Sequence, residues 1–238
     1  MNFSRITKIL NKKLPQVFAG LLVLGSAVQA NAIPFEVDIT VDNSYALYYG
    51  NATTATTFVG SDNNWTTTET YTFDLPESDY IYVVTQSDLA VAQGFLAQFT
   101  NLSTNERFYS QDSQWQVTAT GNYGFAPYDG SASAFTELNN QLALANLGSN
   151  PSNGWVGTTA GNANGASPWG LRPNIDAEAQ WVWYNSNNSA NPTIGGFDHD
   201  EYLIFRISVG ASEVPEPTSL LLLGMGLLGL GFARIRRA

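Results

Sequence analysis

The sequence predicts an all-β, antiparallel sandwich with one short helix, and three observations predict it. Apolar and polar residues alternate with a period of two in run after run. Asn, Asp, Gly and Pro clusters separate those runs at short intervals. The chain also pairs 13% aromatic residues with only 13% charged ones across its 238 residues, a composition suited to a packed core rather than to disorder.

Each element can be justified in order. Phe35, Val37, Ile39 and Val41 alternate with Glu36, Asp38, Thr40 and Asp42, which reads as a half-buried strand. Residues 44–49 continue with Tyr45, Leu47 and Tyr49 on one side. Residues 68–75 put Tyr71 and Phe73 on one face, and residues 80–84 form a β-branched and aromatic run. Phe95, Ala97 and Phe99 share a face, as do Trp115, Val117 and Ala119. Residues 181–184 read as a buried strand, and residues 202–209 turn Leu203, Phe205, Ile207 and Val209 inward. The one expected helix covers residues 137–147 and stops at Gly148. Residues 148–173, rich in Gly, Asn, Ser and Pro, read as a long surface loop packed down by Trp155 and Trp169.

The two ends carry a different signal. Arg5, Lys8, Lys12 and Lys13 precede an apolar stretch over residues 17–28 and then Ala30-Asn31-Ala32. Basic, apolar and small regions in that order define a secretory signal peptide over residues 1–32, with Ala30 and Ala32 at the cleavage site. The other end reads Pro215-Glu216-Pro217, a Leu- and Gly-rich stretch, and then Arg234, Arg236 and Arg237. A helix of about 14 to 16 residues spans roughly 21–24 Å against the ~30 Å hydrocarbon core, so it predicts a short, marginal transmembrane helix. The positive-inside rule keeps the arginines cytoplasmic and the rest of the chain outside. Together these ends bound a β-sandwich ectodomain over residues 33–213 and a C-terminal segment over 214–238.

Composition excludes several functions. The absence of Cys rules out disulfides and Cys-ligated metal centres. Between the two terminal segments only Arg107, Arg172 and Arg206 face nineteen acids, a formal charge of −16. Such a body does not bind nucleic acid, which requires clustered cations. A structural calcium would suit the acidic surface, but the sequence specifies no ligand set and the metal site stays unknown. His199, the one histidine, lies in Phe197-Asp198-His199-Asp200-Glu201, which reads either as a metal or general-base site or as a solvated acidic turn. No nucleophile triad and no phosphate loop can be assembled, so the chain is expected not to be an enzyme. Loop tryptophans Trp65, Trp155 and Trp169 stand near Asn63, Asn64, Asn153 and Asn164. They read either as carbohydrate-stacking platforms or as lids on the core.

Two resemblances add to this reading. The ordered Pro215-Glu216-Pro217, short apolar helix and Arg234 to Arg237 cluster resemble the PEP-CTERM sorting signal. That resemblance implies recognition by an exosortase and the export machinery. It also implies delivery to a Gram-negative envelope or extracellular matrix, with transient single-pass membrane anchoring. Within the ectodomain, Ile39-Thr40-Val41-Asp42, Asp112-Ser113-Gln114-Trp115-Gln116-Val117, Trp181-Val182-Trp183 and Phe205-Arg206 occur collinearly. They are similar to strands of galactose-binding-like jelly-roll modules. Gly50-Asn51 departs from that pattern by reversing the usual turn pair, and a Thr-rich stretch follows it. The resemblance implies binding of extracellular polysaccharide. The competing expectations are a structural matrix or surface component acting by self-association, and a glycan hydrolase.

Overall fold

The computed structural model describes residues 32–86, 92–122, 129–184 and 202–209. The strands are β1 (Ala32–Asp42), β2 (Ser44–Asn51), β3 (Thr54–Asp62), β4 (Glu69–Pro76), β5 (Tyr80–Gln86), β6 (Gly94–Asn101), β7 (Arg107–Tyr109) and β8 (Gln116–Ala119). After helix α1 (Ala132–Asn146) come β9 (Val156–Gly157), β10 (Thr159–Ala163), β11 (Gln180–Trp183) and β12 (Leu203–Ser208). One sheet runs β10-β11-β6-β1-β4, with β7 also paired to β6, and the other runs β3-β2-β5-β12-β8-β9. The pairings are antiparallel, and the two sheets form a sandwich.

The period-two pattern decides which side chains meet between the sheets. Val37, Ile39 and Val41 from β1 pack with Leu47 from β2, Ile81 and Val83 from β5, and Phe95 and Phe99 from β6. Trp115, Val117, Leu203, Phe205 and Ile207 complete this core. The residues expected to point inward do so, because a one-residue slip would move each set to the opposite face of its sheet.

Part of each outer face is covered as well. On the β2/β5/β12 sheet, Ala46, Tyr48, Tyr82, Val84 and Ile204 point away from the central core and pack under Ala134, Leu138 and Leu142 of α1. On the other sheet, Leu96 and Trp181 pack beneath Trp169, Ile175 and Ala179 from the segment around β11. Leu102, Leu144, Leu147 and Leu171 are the large apolar side chains left exposed among the described residues.

The structure corrects the sequence reading in three places. The Thr-rich stretch after Gly50-Asn51 is strand β3, closing a tight hairpin in which Asn51 pairs with Thr54. Its alternation is blurred by two irregularities of register against β2 and by its place at the edge of the sheet. A side chain at Gly50 would put its Cβ 2.2 Å from the Thr54 carbonyl oxygen, so the turn requires glycine there. The expected loop over 148–173 contains β9 and β10. The helix begins one and a half turns earlier than Leu periodicity suggests, because Ser131 caps it by accepting from the Ala134 N–H at 3.2 Å.

Candidate functional site

The three loop tryptophans do not converge on one groove. Trp169 is 3% exposed. Its ring stacks on Trp181 with centroids 4.1 Å apart, and its Nε1 donates to Asp42 Oδ2 at 2.7 Å. Gly94 makes room for the pair, since a Cβ there would lie 2.6 Å from Trp181 and 3.1 Å from Trp169. Trp169 therefore presents no ring face to a ligand. Trp65 is half-buried on the same layer, with the Arg172 guanidinium carbon 5.4 Å from its ring centroid. Arg172 Nη1 also donates to the carbonyls of Trp65 at 3.1 Å and Thr66 at 2.9 Å.

Trp155 lies with the α1 layer, on the other sheet. Arg206 covers its ring at 3.7 Å and stands 5.2 Å from the Tyr80 ring. Both Trp155 Nε1 and Arg206 Nη1 donate to Asn146 Oδ1, at 2.8 and 3.1 Å. Burial holds the Arg206 guanidinium below its ordinary pKa, and the neighbouring Tyr82 and Tyr80 oppose that shift. The third arginine of the body, Arg107, pairs with Asp176 at 2.9 Å. All three cations are thus spent on internal contacts, two of them on the rings of Trp65 and Trp155.

A different concavity is open. It has a volume of about 310 Å³ and sits at one end of the β2/β5 pair, beyond the start of α1. Strand register assembles it: Ser44 pairs with Gln86, and Ala46 lies between Ser61 on β3 and Val84 on β5. Asp62, Asn63, Asp129 and Tyr202 complete the wall around Tyr45. The Tyr45 hydroxyl donates to Tyr71 Oη at 3.2 Å, and burial, then that bond, pushes its pKa far above the ordinary value of 10.0. The Asp129 carboxyl is held below its ordinary pKa first by the Ser131 hydroxyl and then by the Ser131 N–H, which donates to Oδ1 at 3.0 Å. The lining mixes acceptors (Asp62, Asp129), two-way amides (Asn63, Gln86) and hydroxyls (Ser44, Ser61) over a small apolar floor of Ala46 and Val84. Such a site can donate to and accept from a neutral polyhydroxylated ligand, while its two carboxylates repel anionic ones.

Sequence reasoning missed this cavity because its wall comes from five separate segments, none of which forms a motif. Of the sequence-predicted positions, Ala32 is the first residue of β1, paired with Pro76. Ala30, the Asp198-His199-Asp200-Glu201 cluster, Pro215, Glu216, Pro217, Arg234, Arg236, Arg237 and the expected transmembrane helix lie outside the described residues. Among the described residues, no three His, Cys, Asp or Glu side chains stand where they could share a metal ion, and no helix is long and apolar enough to cross a membrane.

An antiparallel β-sandwich with a polar end cavity is thus joined to a distinctive C-terminal segment. Residues 213–237 match the PEP-CTERM protein-sorting motif. No curated protein and no solved structure matches the chain.

Proposed function

We propose that this chain is an exported, exosortase-processed envelope or extracellular-matrix protein whose β-sandwich is a non-catalytic carbohydrate-binding module. The PEP-CTERM motif over residues 213–237 carries the proposal. The basic, apolar and small regions of residues 1–32 support the same reading as an export signal. In this reading residues 1–32 direct export, 33–213 form the ectodomain, and 214–238 hold the chain in the inner membrane of a Gram-negative cell until an exosortase removes the tail.

The galactose-binding-like resemblance and the 310 Å³ cavity support binding of exopolysaccharide. The cavity replaces the loop tryptophans as the place to look. Its excess of carboxylates selects neutral sugars over uronates and phosphorylated ones.

The test is binding of the mature protein to a panel of neutral and acidic polysaccharides, alongside Asn63→Ala and Gln86→Ala. Each substitution removes one hydrogen-bonding side chain, worth about 0.5–1.5 kcal/mol, so affinity should fall roughly two- to tenfold with stability unchanged. Trp155→Phe, on the opposite end of the sheet order, should bind normally. Binding unaffected by the cavity variants would overturn the site. Concentration-dependent assembly without sugar affinity would replace the module with a self-associating matrix component.

A further inference from the structure

We propose that Asn51 and Asn64 are acceptors for N-linked glycan. Three Asn-x-Ser/Thr triplets without proline occur among the described residues: Asn51-Ala52-Thr53, Asn64-Trp65-Thr66 and Asn101-Leu102-Ser103. A triplet alone is common in a chain this rich in Asn and Thr. The folded geometry separates two of them from the third.

Asn51 Oδ1 accepts from the Thr53 N–H and the Thr53 hydroxyl, each at 2.9 Å, and from the Thr54 N–H at 3.0 Å. Asn64 Oδ1 accepts from the Thr66 hydroxyl at 2.6 Å and from the Thr66 N–H at 3.2 Å. Asp62 Oδ2 holds the same turn by accepting from the Asn64 N–H at 2.8 Å. Asn51, Thr53, Asn64 and Thr66 are all exposed. At the third triplet Oδ1 accepts only backbone donors, the Ser103 N–H at 2.9 Å and the Thr104 N–H at 3.3 Å, and Asn101 is half-buried.

The carboxamide nitrogens set the triplet asparagines apart from structural ones, Asn101 included, so it is the hydroxyl donor and the exposure that single out Asn51 and Asn64. Nδ2 of Asn139, Asn146, Asn150, Asn162 and Asn164 donates to the fold, to Ala55, Ala52, Ala119, Ser167 and Ile175 carbonyls. Nδ2 of Asn51 and of Asn64 makes no hydrogen bond among the described residues. Each of these two side chains is held by its oxygen and leaves its nitrogen toward solvent on an exposed turn. Donors on Oδ1 also stabilise the imidate form of the amide, in which Nδ2 has lost a proton.

The co-reactant is a sugar activated as a nucleotide- or lipid-linked diphosphate, brought by a separate transferase. Nδ2 attacks the anomeric carbon. The N–C bond forms as the bond from that carbon to phosphate oxygen breaks, the phosphate leaves with the electron pair, and a base on the transferase takes the Nδ2 proton. The proposal is independent of sugar binding in the cavity.

The experiment is intact-mass and tandem mass spectrometry of the full protein isolated from the cells that make it. Peptides holding Asn51 and Asn64 should carry hexose or N-acetylhexosamine mass on asparagine, and the Asn101 peptide should not. In the same cells Thr66→Val should lose the Asn64 glycan and Thr66→Ser should keep it, while Asn51 stays modified in both as an internal control of folding and export. An intact mass equal to that of the bare polypeptide, or sugar confined to Ser and Thr, would overturn the proposal.

Discussion

At the scale of single residues, the tryptophans show how far a side chain's role depends on remote partners. Trp169 is tied to Asp42 across 127 positions, and Arg172 reaches Trp65 across 107. Local sequence marks such rings as notable and cannot say which face is covered. Truncation of Trp169 to Ala empties the pocket above Gly94 and Trp181 and removes the indole donor from Asp42 Oδ2. It should destabilise the protein by about 3–5 kcal/mol in urea unfolding. Asp38 makes a prediction of opposite sign. Burial, opposed by the Thr70 hydroxyl bond, raises its carboxyl above the ordinary 3.8. The folded chain therefore takes up this proton at a higher pH than the unfolded chain does. Stability contributed here rises as pH falls from above the folded pKa toward 3.8, and the cost of the ionised form is present in full at neutral pH. Asp38→Asn keeps an acceptor for Thr70. It should unfold at higher denaturant than the parent at neutral pH and lose that advantage at about pH 4, as paired urea titrations would reveal.

Elements were legible where apolar and polar side chains alternate in the sequence, even where the outward face is covered too, as at Asp38, Thr40 and Asp42 of β1. The alternation in β1 and β12 places Ile39 and Phe205 in the central core, as period two requires. It fails for β3, whose Thr54, Thr56 and Thr57 offer no contrast between faces, and for β9 and β10, which are short and lie among turn residues. It also hid the first turns of α1, where Ala132, Ser133 and Ala134 lack the leucines that mark the later turns. The capping serine was the signal to use. Ser131→Ala removes the acceptor for the Ala134 N–H and should cost about 1 kcal/mol, read by chemical denaturation. Because Asp129 both leads into this cap and lines the cavity, the end of the helix and the candidate site are one structural unit.

At the scale of the whole molecule, the C-terminal sorting motif was the most legible part, since it is a short linear pattern while the cavity exists only after folding. The cavity needed the register of β2 against both β3 and β5, which no single segment encodes. A body with three arginines, each engaged by a ring or a carboxylate, has no free cation among its described residues to draw it to nucleic acid or to anionic lipid. The most direct test is top-down mass spectrometry of the protein recovered from inner membrane, outer envelope and medium. The account predicts a chain beginning near Ile33 and lacking Arg234, Arg236 and Arg237 in the outer fractions, with the intact tail confined to the inner membrane. A full-length chain of residues 1–238 in the cytosol, or outer-fraction protein that keeps its terminal arginines, would contradict it.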